Sequence, residues 1–79
     1  VLAKPIALLM RNHRPWYSSP LRIVSGPERI EAGWWSDGAS RDYYVAQGEG
    51  DSALYWIFRE RIGGAADADP RYFLHGLFG

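Results

Sequence analysis

The sequence has no cysteine, which excludes a disulfide framework and any thiolate metal centre. That absence suits a reducing compartment, and the expected location is the cytoplasm. An excess of either charge is also missing: nine basic residues balance nine acidic ones, and the sequence pI is near 6.9. Non-specific nucleic-acid binding is driven by counterion release from clustered Lys and Arg, so a neutral chain whose only lysine is Lys4 argues against it. Two local basic groups remain, Arg11-His13-Arg14 and Arg59-Arg61. Nor is there a hydrophobic run of the roughly 20 residues that a membrane span needs. The opening VLAKPIALLM is too short, and it lacks the basic region and small-residue cleavage site of a signal peptide. No membrane partner is expected. The chain opens on Val rather than Met, and the expectation is a fragment of a longer protein forming one domain over residues 1–79.

Catalytic signals are as scarce. His13 and His75 are the only histidines, and neither has metal-type spacing. The serines form no GxSxG, and a nucleophile needs a positioned base. The glycines form no phosphate-cradling pattern. No catalytic residue, cofactor or metal is expected, and the domain reads as non-enzymatic.

What the chain does have is aromatic surface. Four Trp, five Tyr and three Phe stand among 79 residues. A chain this short buries only about 60–65% of its unfolded surface, so large rings must supply much of its core.

The periodicity favours strands. Ile6 to Met10 read as an edge strand after Pro5, residues 11–20 as a polar loop, and Leu21 to Ser25 as a strand ended by Gly26-Pro27. Alternation from Glu28 to Trp35, a turn at Asp37-Gly38 and a return over Asp42 to Ala46 predict a hairpin. Loop QGEGDS leads to Leu54–Arg59, and GGAADADP leads to a last strand, Tyr72–Phe78. Residues 52–62 can also be written with helical spacing, but Trp, Tyr, Ile and Phe together favour a strand. The fold class is therefore all-β: a small antiparallel meander of four to six short strands over residues 21–79, with a less regular segment at 1–20. Several strands are apolar on both faces. The sheet must curl into a partly closed barrel, or its second face must be covered by a terminal segment.

Neighbours on a strand point to opposite faces, so Trp34 and Trp35 cannot share one core, and neither can Tyr43 and Tyr44. Each pair is either a two-faced aromatic core or a core residue plus an outward docking anchor of the kind enriched at interfaces. Arg41-Asp42 reads as a turn-closing contact with the guanidinium stacked on a ring, or as a contact to an acidic partner or phosphate. The candidate partner-binding residues are Trp34, Trp35, Arg41, Asp42, Tyr43 and Tyr44.

The blocks GPERIEAGWW (26–35), RDYYVA (41–46), LYWIFRER (54–61) and YFLHGLF (72–78) occur in an order that resembles the C-terminal domain of ImuB-type proteins, catalytically degenerate relatives of Y-family DNA polymerases. The resemblance implies a non-polymerising DNA-repair adaptor of a bacterial, damage-inducible translesion complex. Its partners would be the sliding clamp, a RecA-like accessory protein and an error-prone C-family polymerase, and its tail would serve protein–protein contacts. The alternative is a small β-barrel that binds single-stranded DNA by stacking bases on surface aromatics.

Overall fold

The computed structural model describes residues 4–30, 40–61 and 71–78. The described residues form seven strands and no helix: β1 (Ile6–Ala7), β2 (Leu9–Arg11), β3 (Arg14–Trp16), β4 (Leu21–Ile30), β5 (Ser40–Gly48), β6 (Leu54–Arg61) and β7 (Arg71–Phe78). Strands β4 to β7 run as an antiparallel meander, and β1 joins the far side to give the order β1-β7-β6-β5-β4. The expected all-β meander is present, and residues 54–61 are strand rather than helix. The sheet does not close: β1 and β4 stand at opposite edges. Of the two expected ways to cover a two-faced sheet, closure is not used, and a terminal segment covers one face.

That segment is more regular than its composition predicts. Residues 11–20 read as a loop, yet β2 and β3 pair in register, with Leu9 opposite Trp16 and Met10 opposite Pro15. Asn12 and His13 form the two-residue turn at φ 50° and 63°, the double left-handed geometry whose twist matches a hairpin. Asn tolerates this region, but Asn-His is a weak turn signal, and Pro15 argues against a strand. After β1 pairs with β7, the Leu8 N–H donates to the Tyr72 carbonyl at 2.9 Å. The Arg14 guanidinium donates to the Leu21 carbonyl at 3.1 Å, so the hairpin is tied to both sides of the sheet.

The core lies on the sheet face that meets this segment. Leu8, Leu21, Ala46, Tyr55, Ile57 and Leu74 are buried together, with Tyr44, Ala53 and Tyr72 packed at its margin. Tyr17 sets its ring edge against Tyr55, with centroids 5.6 Å apart. The QGEGDS turn is locked locally. Asp51 accepts the Ala53 N–H at 3.0 Å on Oδ1 and the Tyr55 hydroxyl at 2.8 Å on Oδ2.

Two irregularities correct the expected strand pattern. Leu21–Ile30 is one strand, not two, with register shifts on either side of Ser25. At the edge of the sheet Pro27 withdraws no N–H from the ladder. On β7, Ile57 faces Leu74 while Trp56 faces Gly76, which leaves His75 as an extra residue. Simple alternation places Gly76 and Phe78 on the Leu74 face, but the bulge moves them to the Trp56 face and puts Leu77 opposite Tyr55 instead.

Gly26 adopts φ +109°, and a Cβ there would lie 2.6 Å from the Tyr43 carbonyl oxygen. The Gly26→Ala variant is therefore expected to lose about 1–3 kcal/mol through combined backbone strain and overlap. Urea unfolding of the two proteins measures it, and equal midpoints would disprove the constraint.

Candidate functional site

Strand β5 carries the RDYY sequence, and alternation divides it between the two faces of the sheet. Arg41 lies opposite Glu60 and Tyr43 opposite Phe58, on the face away from the core cluster. Asp42 lies opposite Arg59 and Tyr44 opposite Ile57, on the core face. Arg41 and Asp42 therefore engage different partners on opposite faces, and the turn they were expected to close lies outside the described residues.

On the first face the guanidinium of Arg41 sits 4.1 Å from the centre of the Phe58 ring, which is the stacking expected of it. Its Nη1 donates to the Tyr43 hydroxyl at 3.1 Å, and that oxygen lies 3.0 Å from His75 Nδ1. Tyr43 accepts from Arg41, and its hydroxyl shares a second hydrogen bond with His75 Nδ1 whose direction follows the imidazole tautomer. His75 stacks on Trp56 with centroids 4.6 Å apart and planes 2° apart, and Tyr43 stacks on the same indole at 4.7 Å. Phe73 continues the cluster against Phe58 at 5.1 Å. Arg41, Tyr43, Phe58 and His75 are all buried. Burial, and then the positive charge of Arg41, hold the His75 pKa below its ordinary 6.5.

The core face holds a different arrangement at the same level of the sheet. Register places Arg29, Asp42, Arg59 and Tyr72 in one row across β4, β5, β6 and β7. Asp42 is 1% exposed. Its Oδ1 accepts from Arg29 Nε at 2.9 Å and its Oδ2 from Arg59 Nη2 at 3.3 Å. Burial pushes the Asp42 pKa up, but hydrogen bonds and charge from the two guanidinia outweigh it and hold the carboxyl below its ordinary 3.8. Both arginines reach solvent, Arg29 more than Arg59. Beside them the half-buried rings of Tyr44 and Tyr72 meet at a centroid distance of 6.0 Å. Burial, followed by proximity to Tyr44, raises the Tyr72 phenol pKa and keeps it a neutral donor.

Four of the six candidate residues are thus placed, and Trp34 and Trp35 lie outside the described residues. Tyr43 is the buried member of its pair and Tyr44 the partly exposed one. Arg29, Arg59 and Tyr72 were not candidates on sequence. The signal that could have found them is register, since each is the cross-strand neighbour of a candidate or of another member of the row. Among the described residues no three His, Cys, Asp or Glu side chains converge as metal ligands, and no helix is long and apolar enough to cross a membrane.

The chain is 37% identical over 78 residues to protein ImuB of Caulobacter vibrioides, in both strain NA1000 / CB15N and strain ATCC 19089 / CIP 103742 / CB 15. The match covers 87% of this chain. The chain is ImuB-like. It spans about 15% of the length of the ImuB proteins it matches, so the similarity describes one domain-sized part of them. No protein-family model and no solved structure matches the chain. The RDYY strand of this ImuB-like domain is the one that carries both faces described above.

Both depressed pKa values have the same sign of effect. His75 folds neutral, so its stabilisation is complete above pH 6.5 and is lost as pH falls toward the lower folded value. Asp42 folds ionised, so its contribution is complete above the ordinary 3.8 and is lost as pH falls from there toward the lower folded value. Denaturant midpoints between pH 7.5 and pH 5 should fall in the native chain and change less in His75→Gln; identical slopes would rule out His75 as the titrating group. Asp42→Asn should cost about 3 kcal/mol at pH 7, the low end for a buried pair because both guanidinia reach water. A loss under about 0.5 kcal/mol in the same assay would mean the row is not structural.

Proposed function

We propose that this ImuB-like domain is a non-catalytic docking module of a DNA-damage-tolerance adaptor, placed at the C-terminal end of its parent protein. It acts in the cytoplasm and recruits protein partners of a mutagenic translesion complex. The partner classes are a RecA-like accessory protein and an error-prone C-family polymerase. The observation that carries the reading is the Tyr44–Tyr72 pair beside Arg29 and Arg59 on the core face. Tyr and Arg are the residue types that concentrate binding energy at interfaces, because they present large, rigid or planar surface at low entropic cost. Asp42 pre-orients both guanidinia, so little further ordering is needed when a partner arrives. The buried histidine supports the non-catalytic reading, since Tyr43 already engages Nδ1 and Trp56 covers the ring.

The placement of the cations also weighs against the single-stranded DNA alternative. Arg41 is buried on Phe58, and Arg29 and Arg59 are both held by Asp42, so these three cations are engaged within the fold rather than strung along a phosphate backbone track.

The test is a titration of the chain against the accessory protein and the polymerase. Tyr44→Ala is expected to weaken one of these complexes by about 2 kcal/mol, close to thirtyfold, with the circular dichroism of the fold retained. Arg29→Lys, which keeps a cation beside Asp42 but removes the planar guanidinium, should weaken the same complex with the fold retained. Unchanged affinity in both variants would refute the docking surface.

A further inference from the structure

A second surface, made of different residues, lies on the N-terminal segment. β1, β2 and β3 bound a shallow groove of about 480 Å³, whose lining includes Ile6, Leu8, Leu9, Trp16 and Tyr17. Only Leu8 among these is part of the buried core. Leu9 is 55% exposed and Ile6 44%, and Tyr17 is exposed as well. These are large apolar side chains gathered on one small element, not scattered singly, and such clustering marks an interaction site.

The N-terminal segment itself carries charge of one sign. Lys4, Arg11 and Arg14 fall between residues 4 and 20, and no Asp or Glu does. Arg14 is neutralised from outside the segment by Glu49. Arg11 lines the groove with its guanidinium 5.1 Å from the centre of the Trp16 ring, and no ion pair joins it to a carboxylate among the described residues. Lys4 is exposed just ahead of β1.

We propose that this groove docks an acidic, apolar peptide segment of a partner protein. Its large apolar side chains lie over Ile6, Leu9 and Trp16, and its carboxylates meet Arg11 and Lys4. Charge complementarity selects an acidic occupant, and the aliphatic lining selects a peptide over a nucleic acid. A base would need an open ring on which to stack, and Arg11 already lies over the Trp16 ring. This inference goes beyond the Tyr44–Tyr72 surface and stands or falls apart from it.

The experiment selects binders to the 79-residue chain from a random peptide library displayed on phage, then resynthesises the enriched peptides and measures their affinity at low and high salt. Enrichment of sequences with excess Asp or Glu beside Leu, Ile, Phe or Trp is expected. Binding should weaken at least tenfold in Leu9→Asp and in Arg11→Glu, and less at high salt in Arg11→Glu than in the native chain. Thermal unfolding of each variant confirms that the exposed substitution has left the fold intact, and Leu9→Ser replaces Leu9→Asp if it has not. Tyr44→Ala serves as the control that should leave peptide affinity unchanged, which separates this groove from the other surface. The proposal is overturned if no sequence is enriched, if the enriched peptides lack acidic excess, or if both groove variants bind as the native chain does. Tighter binding of a labelled oligothymidylate than of any peptide, or groove-dependent self-association of the chain, overturns it equally.

Discussion

A strand turns successive side chains to opposite faces, and β5 has no face that it can leave to water. Arg41, Asp42 and Tyr43 are consecutive and all buried. Two of them are charged, so each face must supply a counter-arrangement within reach. On one side that arrangement is aromatic: the Arg41 cation rests on Phe58 and donates to Tyr43, which in turn faces His75. On the other it is ionic, with the Asp42 carboxylate held between Arg29 and Arg59. The neighbouring strands are drawn to β5 by these demands as much as by the ladder. An unpaired buried charge would cost several kcal/mol, a large share of the stability of a small domain.

The same constraint links fold to surface. Asp42 is sealed, but the arginines that satisfy it come from β4 and β6 and extend toward solvent beside Tyr44 and Tyr72. A structural carboxylate thereby holds two guanidinia in fixed positions at the margin of the core. The N-terminal hairpin works differently. It closes the core with the flanking Leu8 and the edge contact of Tyr17, buries Pro15, and leaves Leu9 outward.

The bulge at His75 shows how much one residue of register can change. Without it, period-two alternation would carry Gly76 and Phe78 to the core face. With it, Gly76 faces Trp56 and brings no side chain of its own, and the imidazole lies flat on the indole. The histidine read on sequence as lacking metal spacing is buried in an aromatic cluster, and its lowered pKa follows first from that burial and then from the charge of Arg41.

Local pattern sufficed for much of this domain. Alternating aromatic and aliphatic residues marked Leu54 to Arg59 and Tyr72 to Phe78 as strands, the QGEGDS composition marked a tight turn, and the absence of cysteine excluded disulfide stabilisation. The doubled tyrosines also required by themselves that one ring lie on each face. Only the tertiary structure decided which ring is sealed, that Arg41 and Asp42 part company, that residues 9–16 form a hairpin, and that Arg29, Asp42, Arg59 and Tyr72 share a row. Periodicity states which side chains on one strand point the same way. It is silent on which residues of different strands stand opposite, because register is set by packing across the whole sheet and shifts at every bulge.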